Sequence, residues 1–173
     1  FMTERCVAEM LERDTYLVPT LSAVRHILAM KGKGVPDYAI EKSERVVERH
    51  KQSIQMFYAA GGKIAMGTDA GTPFNRHGDN AQELEYMVDI GIEPLDALRF
   101  STGAAANLID LHEEGRIQEG HFADLLLVEG DPSADITMVS RPENHRLVVK
   151  RGLPVSRRAS GLIGIAGHQL AAF

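Results

Sequence analysis

The sequence predicts an α/β fold, in which helices cover a parallel sheet and a small β-unit follows. Before Gly115, short apolar runs alternate with longer segments of helical periodicity, a pattern typical of strand-helix units in a parallel sheet. After Gly115 the helical spacing disappears, and short apolar runs are separated by turn residues. The 173 residues are 44% hydrophobic and 25% charged, close to globular averages, so neither a disordered chain nor a fibrous repeat is indicated.

The first elements are predicted to be a short helix and a buried strand. The helix, over residues 3–13, begins with a threonine N-cap and repeats apolar side chains at steps of three and four. On this segment Cys6 is expected to lie in the core or to be partly buried, and as the single cysteine it excludes an internal disulfide. The β-branched and aromatic run at 15–21 predicts a strand that ends near Val18, because Pro19 cannot donate to an interior ladder.

A long helix and a second short strand are predicted next. After a glycine-containing loop, Pro36 can occupy the first turn of a helix that Gly61 and Gly62 stop. The apolar face of this helix is formed by Ile40, Val47, Ile54, Phe57 and Tyr58. Residues 63–69 predict a short apolar strand that ends at Asp69, before a loop rich in glycine and proline.

Three further helices and several β-strands complete the predicted elements. Asn80 and Glu83 form a capping-box pattern at the start of the first helix, Pro94 opens the second and Thr102 caps the third. The predicted β-strands are at Ile117, 123–128, 146–150 and 153–155, with turns at 130–132 and 151–152. The last residues, rich in glycine, alanine and serine, are predicted to form a tail that is either an extended strap or poorly ordered.

Charge and motif content argue against several classes of function. A formal charge of −5 and a pI near 5.8 give no electrostatic surface for a nucleic-acid backbone, and no apolar run is long enough to span a bilayer. We therefore expect neither nucleic acid nor a membrane as a partner, and the single cysteine mildly favours a reducing, cytoplasmic compartment. The histidines form no HxH, HxxH or HExxH pair, and there is no phosphate loop or GxSxG elbow.

Asp69 is the residue whose position points to chemistry. It follows an apolar run predicted to be a parallel strand, and in parallel α/β barrels the carboxyl ends of the strands carry the catalytic groups. An aspartate in a glycine-rich turn, or one that caps a helix, is a common structural feature as well. The residues alone leave both interpretations open.

Two separated motifs give the sequence a resemblance to a known family. The first consists of Gly67-Thr68-Asp69-Ala70-Gly71, His77-Gly78, Asn80, Glu83-Leu84 and Thr102-Gly103-Ala104-Ala105-Ala106. The second is the stretch 115–128 with Gly130-Asp131-Pro132 after it. In this order they resemble the last-strand region and the closing β-sandwich strands of the amidohydrolase superfamily. They are most similar to its imidazolonepropionase-like and Xaa-Pro or Xaa-Arg dipeptidase branch, over residues 3–155.

The resemblance implies a TIM-like (β/α)8 metallo-hydrolase barrel, of which this chain would supply the C-terminal part, plus part of a small β-sandwich. Residues 1–114 would belong to the barrel, 115–156 to the composite β-sandwich domain and 157–173 to the tail. An HxH on the family's first strand, a bridging carboxylated lysine and two more histidines would all precede Phe1. The chain is therefore expected to be a fragment with an incomplete metal site, and its partner would be the missing N-terminal half of the barrel.

The resemblance also assigns roles to single residues. Asp69 matches the aspartate that binds the more buried metal and acts as the general base. The expected cofactor is a divalent metal, zinc being the ion we favour, with one or two ions in the full-length enzyme. His77 matches a position that contacts substrate, with a surface histidine on a mobile loop as the alternative. Thr20 could line the pocket or hydrogen-bond its own backbone.

The implied function is metal-dependent hydrolysis of a C–N bond in an amide, peptide or cyclic amide, with a small-molecule or dipeptide-like substrate. One alternative is a metal-dependent deaminase, which would use the same aspartate. Another is a non-catalytic truncated paralogue or partner module that keeps the shape of the fold for binding. A homo-oligomer is compatible with each of these interpretations.

Overall fold

The computed structural model describes residues 1–155. In chain order its helices and strands are α1 (Glu4–Glu12), β1 (Tyr16–Leu17), α2 (Leu21–Ala29), α3 (Asp37–Ala59), β2 (Lys63–Ile64), α4 (Gln82–Asp89), α5 (Pro94–Ser101), α6 (Gly103–Leu108), β3 (Leu125–Val128), α7 (Thr137–Ser140), β4 (His145–Lys150) and β5 (Leu153–Val155). A 3-10 turn, Pro142–Asn144, precedes β4. The tail predicted over 157–173 lies outside the described residues.

β1 and β2 form a parallel pair, as the alternation of strands and helices predicts. Each strand contributes two residues to the ladder, so the strand predicted over 63–69 is wrong in length. The ladder ends because Pro19 has no N–H to donate and Thr20 adopts a left-handed φ of 52°, which turns the chain out of the sheet. Beyond β2, the N–H of Ala65 still donates to the carbonyl of Leu17 at 3.1 Å, and the N–H of Met66 donates to the carbonyl of Phe100 at 2.8 Å, before the chain reaches Asp69.

β3, β4 and β5 form an antiparallel sheet in that order. Arg151 and Gly152 join β4 to β5, and their φ values of 48° and 79° suit a tight hairpin turn. The β-strands predicted at 123–128, 146–150 and 153–155 are therefore confirmed, with small shifts of their ends. The one predicted at Ile117 is wrong, because this residue belongs to no strand and is 92% exposed.

The hydrophobic core lies between the helices and β2. Its buried members are Val7, Leu21, Ile54, Phe57, Ile64, Leu84, Met87, Ile90, Ile92, Ala97 and Ile136. On α3, Ile54 and Phe57 come from the predicted apolar face, which confirms that prediction. On α1, Val7 is buried but Cys6 is exposed, so the expectation for the cysteine is wrong. Adjacent residues on a helix point about 100° apart, and Val7 takes the side that faces the core.

One helix was not predicted, and the start of another differs from the prediction. No start signal in the sequence predicts α2, which begins directly after Thr20. α4 begins after Ala81, and no side chain caps it, so the capping-box prediction for Asn80 and Glu83 is wrong. Pro94 does stand in the first turn of α5, as predicted. Among residues 1–155, no helix combines the length and the apolar character needed to cross a bilayer.

Two glycines that flank β2 leave no room for a side chain. A Cβ at Gly62 would overlap the ring of Phe57, which is fully buried. A Cβ at Gly67 would lie 2.5 Å from Cγ1 of Val18. Neither glycine has a positive φ, so at both positions the constraint is steric rather than conformational.

Replacing Gly62 by alanine is expected to lower the free energy of unfolding by about 1–3 kcal/mol, because the new methyl group forces the Phe57 ring off its packed position. Urea denaturation of the intact protein measures this loss. The matched control is a double-mutant cycle with Phe57→Leu, in which the smaller side chain should make the two losses less than additive. If the two losses of unfolding free energy were strictly additive, the new methyl group would not be in contact with the Phe57 ring.

Candidate functional site

Asp69 lies on a turn beyond the carboxyl end of β2. Its φ is 55°, in the left-handed region that aspartate and asparagine tolerate better than most residues. Its backbone carbonyl accepts hydrogen bonds from the N–H of Thr72 at 3.3 Å and from the hydroxyl of Thr72 at 2.9 Å. The residue is exposed, and within residues 1–155 its carboxylate has no hydrogen-bond or ion-pair partner. The backbone is therefore fixed while the carboxylate is left free to bind.

A buried asparagine stabilises this turn through a hydrogen bond. The side-chain amide of Asn75 donates to the carbonyl of Thr68, and both residues are buried. The N–H of Gly71 donates in turn to the carbonyl of Asn75 at 2.8 Å. Sequence reasoning missed Asn75, although an asparagine in a loop rich in glycine and proline is a common turn-stabilising residue.

A cavity of about 600 Å³ opens beside the turn. It is lined by His26, Met30, Gly71, Thr72, Phe74, Asn75, Arg76, His77, Asp79 and Gln82. Asp69 is not one of the lining residues, but Thr72, which bonds the backbone carbonyl of Asp69, is part of the wall. One side comes from α2, and the other from the loop after Asp69 and the first residue of α4.

His77 is one of the residues that line this cavity, and its side chain is exposed. The ring packs over the backbone of Gly71, where an added Cβ would lie 3.0 Å from Nε2 of His77. Thr20, by contrast, is not part of the cavity wall. Its hydroxyl lies 3.5 Å from the carbonyl of Val18, in agreement with the interpretation that it bonds its own backbone.

Glu83, on α4, links that helix to the start of α2. Its side chain is fully buried, and its carboxylate accepts hydrogen bonds from the N–H of Leu21 at 2.7 Å, from the N–H of Ser22 at 2.8 Å and from the hydroxyl of Ser22. These N–H groups belong to the first turn of α2, where a negative charge is favoured. Burial raises the pKa of Glu83, and the hydrogen bonds from Ser22 and Leu21 offset part of that rise. Glu83 therefore caps α2 and not its own helix.

A polar cluster joins the same two helices closer to the cavity. Nε2 of His26 lies 3.2 Å from the side-chain oxygen of Gln82 and 3.2 Å from the hydroxyl of Tyr86. The guanidinium of Arg25 stacks over the Tyr86 ring and pairs with Asp89 at 2.7 Å. α2 and α4 are thus tied together both at the surface and in the interior.

The residues described supply little of a metal site by themselves. Within residues 1–155, no three His, Cys, Asp or Glu side chains are grouped so that they could hold a metal ion. The free carboxylate of Asp69 suits the role of one oxygen ligand to a divalent ion.

Comparison with known proteins places this arrangement in a family. The sequence profile of the amidohydrolase family matches residues 3–155. Ochratoxinase from Aspergillus niger is 30% identical over 146 residues, which cover 83% of this chain and 30% of that protein.

Solved structures share the fold. A Xaa-Pro dipeptidase with methionine bound in its active site is 32% identical, with a TM-score of 0.80 over 91% of this chain and 38% of that one. A prolidase complexed with N-methylphosphonate-L-proline is 26% identical, with a TM-score of 0.81 over 91% of this chain and 39% of that one. The chain spans 30% to 39% of the length of these three relatives. Because the family profile extends over nearly all of the described residues, the chain belongs to the amidohydrolase family.

Proposed function

We propose that this chain is the C-terminal part of a metal-dependent amidohydrolase that hydrolyses a C–N bond in an amide, peptide or cyclic amide. The observation that carries the proposal is the free carboxylate of Asp69, held on a braced turn beyond the carboxyl end of a parallel strand and next to a cavity. In parallel α/β barrels this is where catalytic groups are placed. Family membership adds support, since the relatives named above are hydrolases.

The proposal includes an assignment of the chain to domains. Residues 1–114 would form the last part of a TIM-like (β/α)8 barrel, with β1 and β2 as its last two strands, and 115–156 would form part of a β-sandwich. The parallel pairing of β1 with β2 and the antiparallel sheet of β3, β4 and β5 support it. The rest of the barrel would come from the N-terminal half of the same enzyme.

In the proposed mechanism Asp69 acts as the general base. A bound divalent metal, of which zinc is our first choice, would polarise the substrate carbonyl and the attacking water. The Asp69 carboxylate would be one ligand, and it would take a proton from that water and pass it to the leaving nitrogen as the C–N bond breaks. A carboxylate with no protein partner suits this task, because neither proton transfer has to break an existing hydrogen bond.

The substrate would be a small molecule or a dipeptide. The cavity lies next to Asp69 and offers both apolar surface, from Met30 and Phe74, and polar groups, from Arg76 and His77. Mixed lining of this kind suits a ligand with an apolar side chain and a charged end. The methionine and the proline phosphonate bound to the two dipeptidase relatives are ligands of that type.

The direct test is an activity assay of the intact protein with zinc, with Xaa-Pro dipeptides and N-acyl amino acids as substrates. Release of a free amine and a carboxylate is the expected result. Release of ammonia from an aminated ring would instead identify a deaminase. Turnover of none of these substrates, together with no bound metal by elemental analysis, would favour a non-catalytic binding module.

His77→Ala in the intact enzyme is expected to raise KM roughly tenfold with little change in kcat, because a hydrogen bond present in both the bound substrate and the transition state is lost. Steady-state kinetics measure both constants. His112→Ala is the matched control, since that histidine is also exposed but lies outside the cavity wall. If the two variants have the same KM, His77 is a surface residue with no substrate contact.

A further inference from the structure

We propose that Glu83 is a positioning residue, whose buried carboxylate sets the spacing of the two walls of the cavity next to Asp69. This inference rests on the proposed function, because it assigns the cavity to the substrate. It gives Glu83 no contact with substrate or metal. The residue would act only through the two chain segments that it holds together.

The contacts of Glu83 lie between those two segments. Its three hydrogen bonds all end on Leu21 and Ser22, the first two residues of α2. The same helix carries His26 into one wall of the cavity, and Met30, the residue directly after the helix, lies in that wall as well. Glu83 directly follows Gln82, which is the first residue of α4 and lines the opposite wall. A shift of the carboxylate therefore moves one wall relative to the other.

No local group can replace this carboxylate at the start of α2. Thr20 occupies the N-cap position, but its φ is 52° and its side chain makes no capping hydrogen bond. Leu21 and Ser22 are 4% and 1% exposed, so water cannot readily satisfy their N–H groups. Without Glu83 the first turn of α2 must unwind, or the chain around 83 must move, and both changes alter the cavity wall.

Other contacts should keep the fold intact when Glu83 changes. Arg25 and Asp89 pair at the surface, and His26 bonds Gln82 and Tyr86, so α2 and α4 stay joined. The apolar core is also shared with α3 and β2. The consequence of losing the carboxylate should therefore be a displaced wall in a folded protein, which kinetics can detect.

The experiment compares Glu83→Gln with Gly62→Ala in the intact protein, at a temperature where both are folded. The glutamine keeps one accepting oxygen but cannot accept all three hydrogen bonds. We expect kcat/KM to fall roughly tenfold to a hundredfold, since small misplacements of a site are costly. Amide hydrogen exchange should become faster both at 20–22 and at 70–82. Gly62→Ala, which loses stability beyond the amino end of β2, should keep the parental kcat/KM and exchange at 70–82.

Two outcomes would overturn the inference. One is a folded Glu83→Gln protein with the kcat/KM of the parent. The other is faster exchange at 20–22 with no change at 70–82. If Glu83→Gln does not fold, Ser22→Ala decides, because it removes a single hydrogen bond, and parental kinetics and exchange would then count against the inference. Absence of hydrolysis by the parent would refute the proposed function instead, while the exchange data would still test the link made by Glu83.

Discussion

Asp69→Asn is expected to lower kcat about a hundredfold or more while leaving the fold unchanged. The amide cannot take a proton from water, and general-base assistance is typically worth at least that factor. The fold should persist because asparagine tolerates the left-handed φ of 55°, and because the turn is closed by the carbonyl of Asp69 and by Asn75 rather than by the carboxylate. Turnover of the intact, metal-loaded enzyme and its circular dichroism spectrum are the measurements.

Asp14→Asn is the control for that experiment. Asp14 is also an exposed aspartate with a φ of 55°, but it precedes β1 and so lies at the amino end of the strand pair. Its carboxylate pairs with Lys63, at the surface, where such pairs contribute little. Equal turnover by the two variants would remove Asp69 from the mechanism and leave it as a turn residue.

Glu83→Ala is expected to lower the free energy of unfolding by about 3 kcal/mol or more. The substitution leaves two buried N–H groups and one buried hydroxyl without an acceptor, and each such group costs about 1–3 kcal/mol. The cost of burying the carboxylate, visible in its raised pKa, is recovered and reduces the sum. Urea denaturation of the intact protein provides the measurement.

Asp89→Ala is the matched control for Glu83→Ala. Asp89 lies on the same helix and reaches the same partner helix, through Arg25, but its side chain is 59% exposed. A solvated ion pair of this kind contributes at most about 1 kcal/mol. Losses of equal size in the two variants would mean that the buried carboxylate is no more important than a surface charge.

The elements that the sequence predicted well are those whose signals are local. α3 begins after a proline, repeats apolar residues along one face and ends at two glycines, and all three signals come from neighbouring residues. The β4 and β5 hairpin is likewise marked by its own Arg151-Gly152 turn. Such patterns need no knowledge of the rest of the chain.

α2 and the start of α4 could not be predicted in this way, because the decisive contact is distant in sequence. The donors at Leu21 and Ser22 find their acceptor at Glu83, more than sixty residues away. A glutamate three residues after an asparagine matches the capping-box pattern equally well. The spacing of Glu83 could have indicated that it is buried, because Glu83 and Met87 are four residues apart and share a buried helix face.

In the candidate site too, only the features with local sequence signals could be predicted. The sequence predicts Asp69 at the carboxyl end of a strand, and the structure places it on a turn five residues beyond the end of β2. The hydrogen bond from Asn75 to Thr68, which stabilises the Asp69 turn, could not be predicted from the sequence, because it depends on how the loop folds back. The cavity could not be predicted either, because one of its walls is formed by α2, and no local sequence signal marks that helix.

The contact between Val18 and Gly67 means that these two positions behave as one site in protein engineering. Valine has few side-chain rotamers and cannot turn away, so a larger residue at 67 requires a smaller side chain at 18. Gly67 lies two residues before Asp69, so a library that varies only the residues leading into the Asp69 turn should return glycine at this position. Pairing that library with alanine at 18 should open the position to small side chains.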